Sequence, residues 1–131
     1  MQKRGTSLIH ILLLPVALIL LLAACSAHTK QAQQLEAEVL QIHDEVMPKI
    51  STVLKLRKKI YTILDSTLTK AEKDTLNKIS YELTKADRFM SDWMHQYQKP
   101  NIDHDTAIRY LTEQRIKIEA VSEQINKSIE Q

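Results

Sequence analysis

The chain has 131 residues, enough for one domain, with 26% charged residues, 5% aromatics, one Gly, three Pro and one Cys. A single Gly leaves no phosphate-cradling loop, and a single Cys excludes both an intramolecular disulfide and a Cys-based metal cage. No nucleophile–base set or paired-carboxylate site stands in the sequence, so an enzyme is not expected.

Lys3 and Arg4 precede an apolar run from Leu8 to Leu22. The run falls short of the ~20 apolar residues of a membrane span, and with Pro15 and the small residues before Cys25 it reads as a cleaved signal peptide over 1–24. Leu22-Ala23-Ala24-Cys25 resembles the bacterial lipobox, Leu-(Ala/Ser)-(Gly/Ala)-Cys, at all four positions. That resemblance implies cleavage after Ala24 and a lipid on Cys25, which takes the thiol out of any metal or redox scheme. Acyl chains at ~0.8 kcal/mol per buried CH₂ make such an anchor effectively permanent. Ser26 rather than Asp after the Cys favours the outer membrane, facing the periplasm or the cell surface. Losing Lys3 and Arg4 reduces eighteen basic residues to sixteen, against sixteen acidic ones, so the mature body is formally neutral. A nucleic-acid face is therefore not expected. Lys55-Leu56-Arg57-Lys58-Lys59, the one basic cluster, reads as a solvated helix face.

Residues 25–34 are polar and read as an acylated Cys with a short tether; residues 35–131 read as the bundle. From Leu35 through Val39, Ile42, Val46, Ile50, Val53, Ile60 and Leu64 the apolar steps are mostly three and four, the amphipathic helical period. One helix over 30–65 is expected, kinked near Pro48, which removes a backbone donor and crowds the preceding turn. Thr69-Lys70-Ala71-Glu72 has the form of a capping box and predicts the start of a second helix. Leu76, Ile79, Leu83, Ala86, Met90, Trp93, Met94 and Tyr97 share its face, and Lys99-Pro100 ends it. Asp103 is the expected N-cap of a third helix carrying Ala107, Leu111, Gln114, Ile118, Val121, Ile125 and Ile129, close to a heptad seam that leaves dimerisation open. The fold class is all-α: a three-helix antiparallel up-down-up bundle with no strands.

The most unusual stretch of the mature chain is His43-Asp44-Glu45-Val46-Met47-Pro48-Lys49. Antiparallel pairing about the first connection places His43 level with Asp92 and Met47 with Arg88, beside Met90, Trp93, Met94 and His95. Folding the third helix back brings Glu113 to the same height. Imidazole and thioether ligands suit Cu(I) or haem, so His43, Met47, Met90 and Met94 are candidate metal ligands. The competing reading makes the methionines and Trp93 core filler, with His43 bonded to a carboxylate. Asp44 and Glu45 are expected either to face solvent or to pair with Lys49, one turn on from Glu45.

His43-Asp44-Glu45-x-Met47-Pro48-Lys49, followed by Met90-x-x-Trp93-Met94-His95, resembles a group of small lipoproteins from Bacteroidetes, some of which carry the automated name viral A-type inclusion protein. The resemblance implies the architecture and the envelope setting and brings no defined activity. Leu111-Thr112-Glu113-Gln114-Arg115 resembles, in a single copy, the Leu-Thr-x-x-Gln motif of periplasmic helical chaperones, in which the Thr tends to start a helix. Three functions follow as expectations. The first is a non-enzymatic, lipid-anchored module contacting an envelope protein through its helices. The second is a copper or haem carrier, and the third a chaperone-like stress sensor.

Overall fold

In the computed structural model, the described backbone covers residues 5–64 and 67–131, with side chains described from residue 27 onward. The expected signal peptide, the lipobox and the lipidation of Cys25 rest on side chains outside the described residues. Three helices account for the fold: α1 (Gly5–Leu64), α2 (Lys70–Gln96) and α3 (Ala107–Ile129). Among the described residues there is no strand, and no helix is long and apolar enough to cross a membrane.

The bundle follows from three stripes that repeat at seven residues. On α1, Ala32, Val39, Val46, Val53 and Ile60 are all buried and fall one heptad apart. On α2 the buried positions are Leu83, Ala86, Met90 and Trp93, and on α3 Ala107, Leu111, Gln114, Ile118, Val121, Ile125 and Ser128, alternating steps of three and four. A sustained 3.5-residue period keeps each stripe facing its neighbours along the whole bundle. Hydrophobic burial along these stripes then stabilises helices that propensity alone would leave marginal.

Side-chain pairs fix the directions. His43 meets Trp93, and Arg57 reaches Asp87, so α1 and α2 run antiparallel. Glu38 meets Arg115 and Lys49 meets Asn126, so α1 and α3 run parallel. The expected up-down-up order is therefore observed. Lys49 donates to the Asn126 amide oxygen at 2.6 Å, while Glu45 accepts from Gln41 at 2.8 Å. Of the two settings expected for Glu45 the exposed one is found, and Lys49 bonds Asn126 instead of Glu45.

Thr69 caps α2 as its sequence predicts. Its hydroxyl accepts from the Glu72 N–H, and the Glu72 carboxylate accepts in return from the Thr69 N–H at 2.8 Å. Those bonds from Thr69 hold the Glu72 carboxyl below its ordinary value. The start of α3 differs from expectation. Asp103 does not cap it: its N–H donates to the Asn101 side chain, tightening a turn through 102–106, and α3 begins at Ala107 after Thr106. Pro48 lies within α1, which is helical on both sides of it. The proline ring is exposed, on the face where water can reach the Asp44 carbonyl that its missing N–H leaves without a donor. Packing starts early: Ala32 is fully buried against Ala107 and Leu111, inside the stretch expected to be a polar tether.

Candidate functional site

The apolar interior divides in two. One cluster runs from Val39 to Ile60 with Leu83, Met90, Ile118 and Ile125, and a smaller one holds Ala32, Ala107 and Leu111 with Leu35, Ile102 and Ile108. Where the two adjoin, Glu36 of α1 and Gln114 of α3 are buried, with 9% and 3% of their surface exposed. The Glu38–Arg115 ion pair at 3.1 Å ties α1 to α3 at this height. α2 contributes Trp93 and Tyr97, one turn apart and stacked at 5.0 Å. An aromatic row results: His43 lies 5.5 Å from Trp93, and Tyr97 lies 6.3 Å from Tyr110 of α3.

This layer is poor in hydrogen bonds. Glu36 Oε1, Trp93 Nε1, Tyr97 Oη and Gln114 Oε1 are buried without a protein hydrogen-bond partner. Lys99 brings its ammonium to 3.2 Å from Glu36 Oε1, but outside hydrogen-bonding geometry. Burial, then the negative charge of Glu36 and the neighbouring Tyr110, push the Tyr97 hydroxyl above its ordinary value. Tyr97 therefore stays neutral. About four turns along the same seam, in the other half of the bundle, Ser128 behaves differently, since its hydroxyl donates to the Ile125 carbonyl at 2.8 Å within its own helix. A buried Ser can fold back on the backbone, whereas the longer Gln114 and Glu36 side chains project into the layer.

The expected metal ligands do not share one setting. Met90 is buried in the larger core and Met47 packs against that core. His43 and Met94 instead line a shallow depression of about 150 Å³ with Leu40, Trp93 and Tyr97. His43 pairs with Asp44 at 2.9 Å, the carboxylate bond expected of a histidine without a metal role. Asp44 and Glu45 are exposed, as is Glu113. His95 is exposed as well and bonds the Ser91 carbonyl through Nδ1 at 2.8 Å. Among the described residues, no three His, Cys, Asp or Glu side chains gather to hold a metal.

Thr112 lies inside α3 and donates to the Ile108 carbonyl at 2.8 Å, so it starts no helix. The position of the chaperone motif's Gln is Arg115, which bonds Glu38, and Gln114 stands one residue early. The motif's residues thus serve packing and ion pairing between α1 and α3.

Sequence reasoning missed Glu36. Its signal was the spacing: Glu36, His43, Ile50 and Arg57 repeat at seven residues on the α1 edge that faces α2, so a carboxylate there points inward.

The surface carries a second feature. Leu40, Leu54, Tyr61, Tyr81, Phe89, Met94 and Ile116 are large apolar side chains left exposed. Leu40, Leu54 and Tyr61 lie on one α1 face with Met47, each a multiple of seven from the next. Leu40 is 40%, Leu54 48% and Tyr61 64% exposed, whereas Met47 between them is half-buried against the core. Comparison with protein-family models, with curated proteins and with solved structures finds no match to this chain.

Proposed function

We propose that the protein is a non-enzymatic lipoprotein of a bacterial cell envelope, anchored through acylated Cys25 after removal of residues 1–24, whose bundle binds an envelope protein by helix packing. The observation that carries this reading is the exposed set Leu40, Leu54 and Tyr61 on one α1 face, with half-buried Met47 between them. A bundle that needed only to be stable and soluble would cover this face with charge, as it does at Lys58 and Lys59. A heptad-spaced apolar strip on the outside of a bundle is what an amphipathic partner helix packs against. The lipid holds the body at the outer membrane, so a modest docking surface meets its partner at high effective concentration. A bend of α1 at Pro48 belongs to the same reading, since it would curve the strip around that partner.

Two experiments test the two halves. Cys25→Ala abolishes fatty-acid labelling and releases the protein from membranes; labelling that persists removes the anchor. A photo-crosslinking residue at 54 captures a discrete envelope protein in intact cells, while the same residue at Lys73 does not. Equal products from both positions, or none from 54, contradict the docking surface. The copper or haem reading lacks a comparable support, because His43 and Met94 lie in a surface depression while Met90 lies in the core.

A further inference from the structure

We infer that the apolar strip of α1 packs against the same strip of a second copy of this chain, antiparallel, about a two-fold axis that passes at Ser51. The inference rests on reading that strip as a docking surface, and it names what docks there. Leu40, Leu54 and Tyr61 are 40%, 48% and 64% exposed and fall on one heptad spacing, with half-buried Met47 filling the gap. α1 is a single helix across all four positions, so the strip is continuous.

The charge beside the strip identifies the occupant. Asp44, Ser51 and Lys58 also repeat at seven residues, and all three are exposed. Asp44 and Lys58 each follow a residue that borders α2, His43 on Trp93 and Arg57 on Asp87. A further step of about 100° puts their row on the opposite edge of the strip, away from α2. Read along the chain the row is negative, neutral, positive, and read backwards its signs reverse. Antiparallel pairing of two copies therefore sets Asp44 of each against Lys58 of the other, with Ser51 facing Ser51 at the axis. Parallel pairing would set like charges against each other, so the row selects the orientation. The same register brings Leu40 level with Tyr61 of the second copy, and Met47 level with Leu54. Complementarity under reversal is what a two-fold interface requires, and an unrelated partner helix does not need it.

The side chains are free to pair in this way. The Asp44 side chain is 78% exposed and bonds His43 through Oδ1 at 2.9 Å, which leaves Oδ2 for an ammonium group. Among the described residues Lys58 has no ion-pair partner. Ser51 is small, so two helices can approach closely at the axis. Beside Leu40 lies the depression of about 150 Å³ that His43, Trp93, Met94 and Tyr97 also line. Tyr61 of the second copy stands at that level, and the recess offers its ring an apolar and aromatic seat. Both lipid anchors reach one membrane when the two-fold axis runs along the membrane normal, and shared anchoring raises the effective concentration of a modest interface.

The test uses the full chain in its native membranes. With Cys25 acylated, Ser51→Cys supplies the one free thiol. Under mild oxidation Ser51→Cys forms a disulfide dimer, whereas the parent chain and Lys73→Cys do not. Adding Asp44→Lys sets lysine against Lys58 on both sides of the axis and lowers the dimer yield about tenfold; adding Lys58→Asp instead does the same with carboxylates. Co-expressed under different tags, those two chains pair with each other as well as Ser51→Cys pairs alone, a rescue that a loss of folding would not give. A Ser51→Cys yield no greater than the parent's overturns the inference. So does an undiminished yield with Asp44→Lys, or no recovery on co-expression. The photo-crosslink from residue 54 separates this inference from the reading beneath it. A product at twice the mass of the chain supports both. A product that holds a different protein, with no dimer, overturns the second copy and leaves the docking surface standing, and no product from 54 removes both.

Discussion

The two ends of this bundle solve the same packing problem with different chemistry. Toward the α1–α2 connection, Val46, Val53 and Ile60 meet Leu83, Ala86, Met90, Val121 and Ile125, and the buried polar side chain among them, Ser128, bonds back to its own helix. Toward the α2–α3 connection, small residues (Ala32 and Ala107) leave room, and Glu36, Tyr97 and Gln114 bring polar atoms inside. A seam that places Gln and Glu where Ile or Leu would fit gives up stability at that level. The half toward the α1–α2 connection has the larger apolar side chains and the larger buried cluster. Among the described residues, the one buried side-chain atom without a partner toward the α1–α2 connection is Arg57 Nε, whose guanidinium still reaches Asp87 through Nη1.

The comparison breaks most sharply at Leu83, which is fully buried. Leu83→Ala removes contacts and leaves a cavity in the apolar half, so urea unfolding should show a loss of ~2–5 kcal/mol. A smaller effect than that of truncation in the polar half would mean that the apolar half is not the main source of stability.

The cap of α2 comes next. Thr69→Ala removes the hydroxyl that accepts from Glu72 and should cost ~1 kcal/mol. The pH dependence has a definite sign. The Glu72 carboxyl is held below its ordinary value of 4.5, so its contribution is present above that value and is lost as pH falls through the lower folded-state value. Thr69→Ala should therefore be less sensitive to acid than the unmodified chain across that range. Parallel acid limbs in the two proteins would remove Glu72 from the account.

The smallest effect belongs to the pair between Glu38 and Arg115, which is half exposed. Arg115→Gln should change stability by less than ~1 kcal/mol, less still at high salt. A larger loss would show that Arg115 orders the neighbouring polar layer, and would join Glu38 and Arg115 to the site.

The fold was legible because three independent stripes agreed. Val39, Val46, Val53 and Ile60 kept their phase through Pro48, Thr69 and Glu72 gave a reciprocal start signal, and Lys99-Pro100 gave a stop. The start of α3 was misread because Asn101 and Asp103 favour a turn as readily as a cap, and which of the two forms depends on hydrogen bonds within the loop. The site was less legible. His43 and the methionines drew notice by residue type, yet their helix positions send Met90 to the core and His43 with Met94 to the surface. Glu36 has no unusual neighbour in sequence; only the position of its edge against α2 and α3 makes it buried. Tyr97 and Gln114 were placed on core faces, but that their polar atoms would lack partners depends on three helices meeting at one height.

Unfolding of Gln114→Met is the most direct test of the contrast between the halves. Met keeps the length of the side chain and removes the Oε1 acceptor that has no partner. If the polar layer gives up stability at that level, the unfolding free energy stays within about 1 kcal/mol of the parent or rises, with helical content unchanged. A loss as large as that of Leu83→Ala would contradict the account, because it would show Gln114 bonded into a network that holds the bundle together.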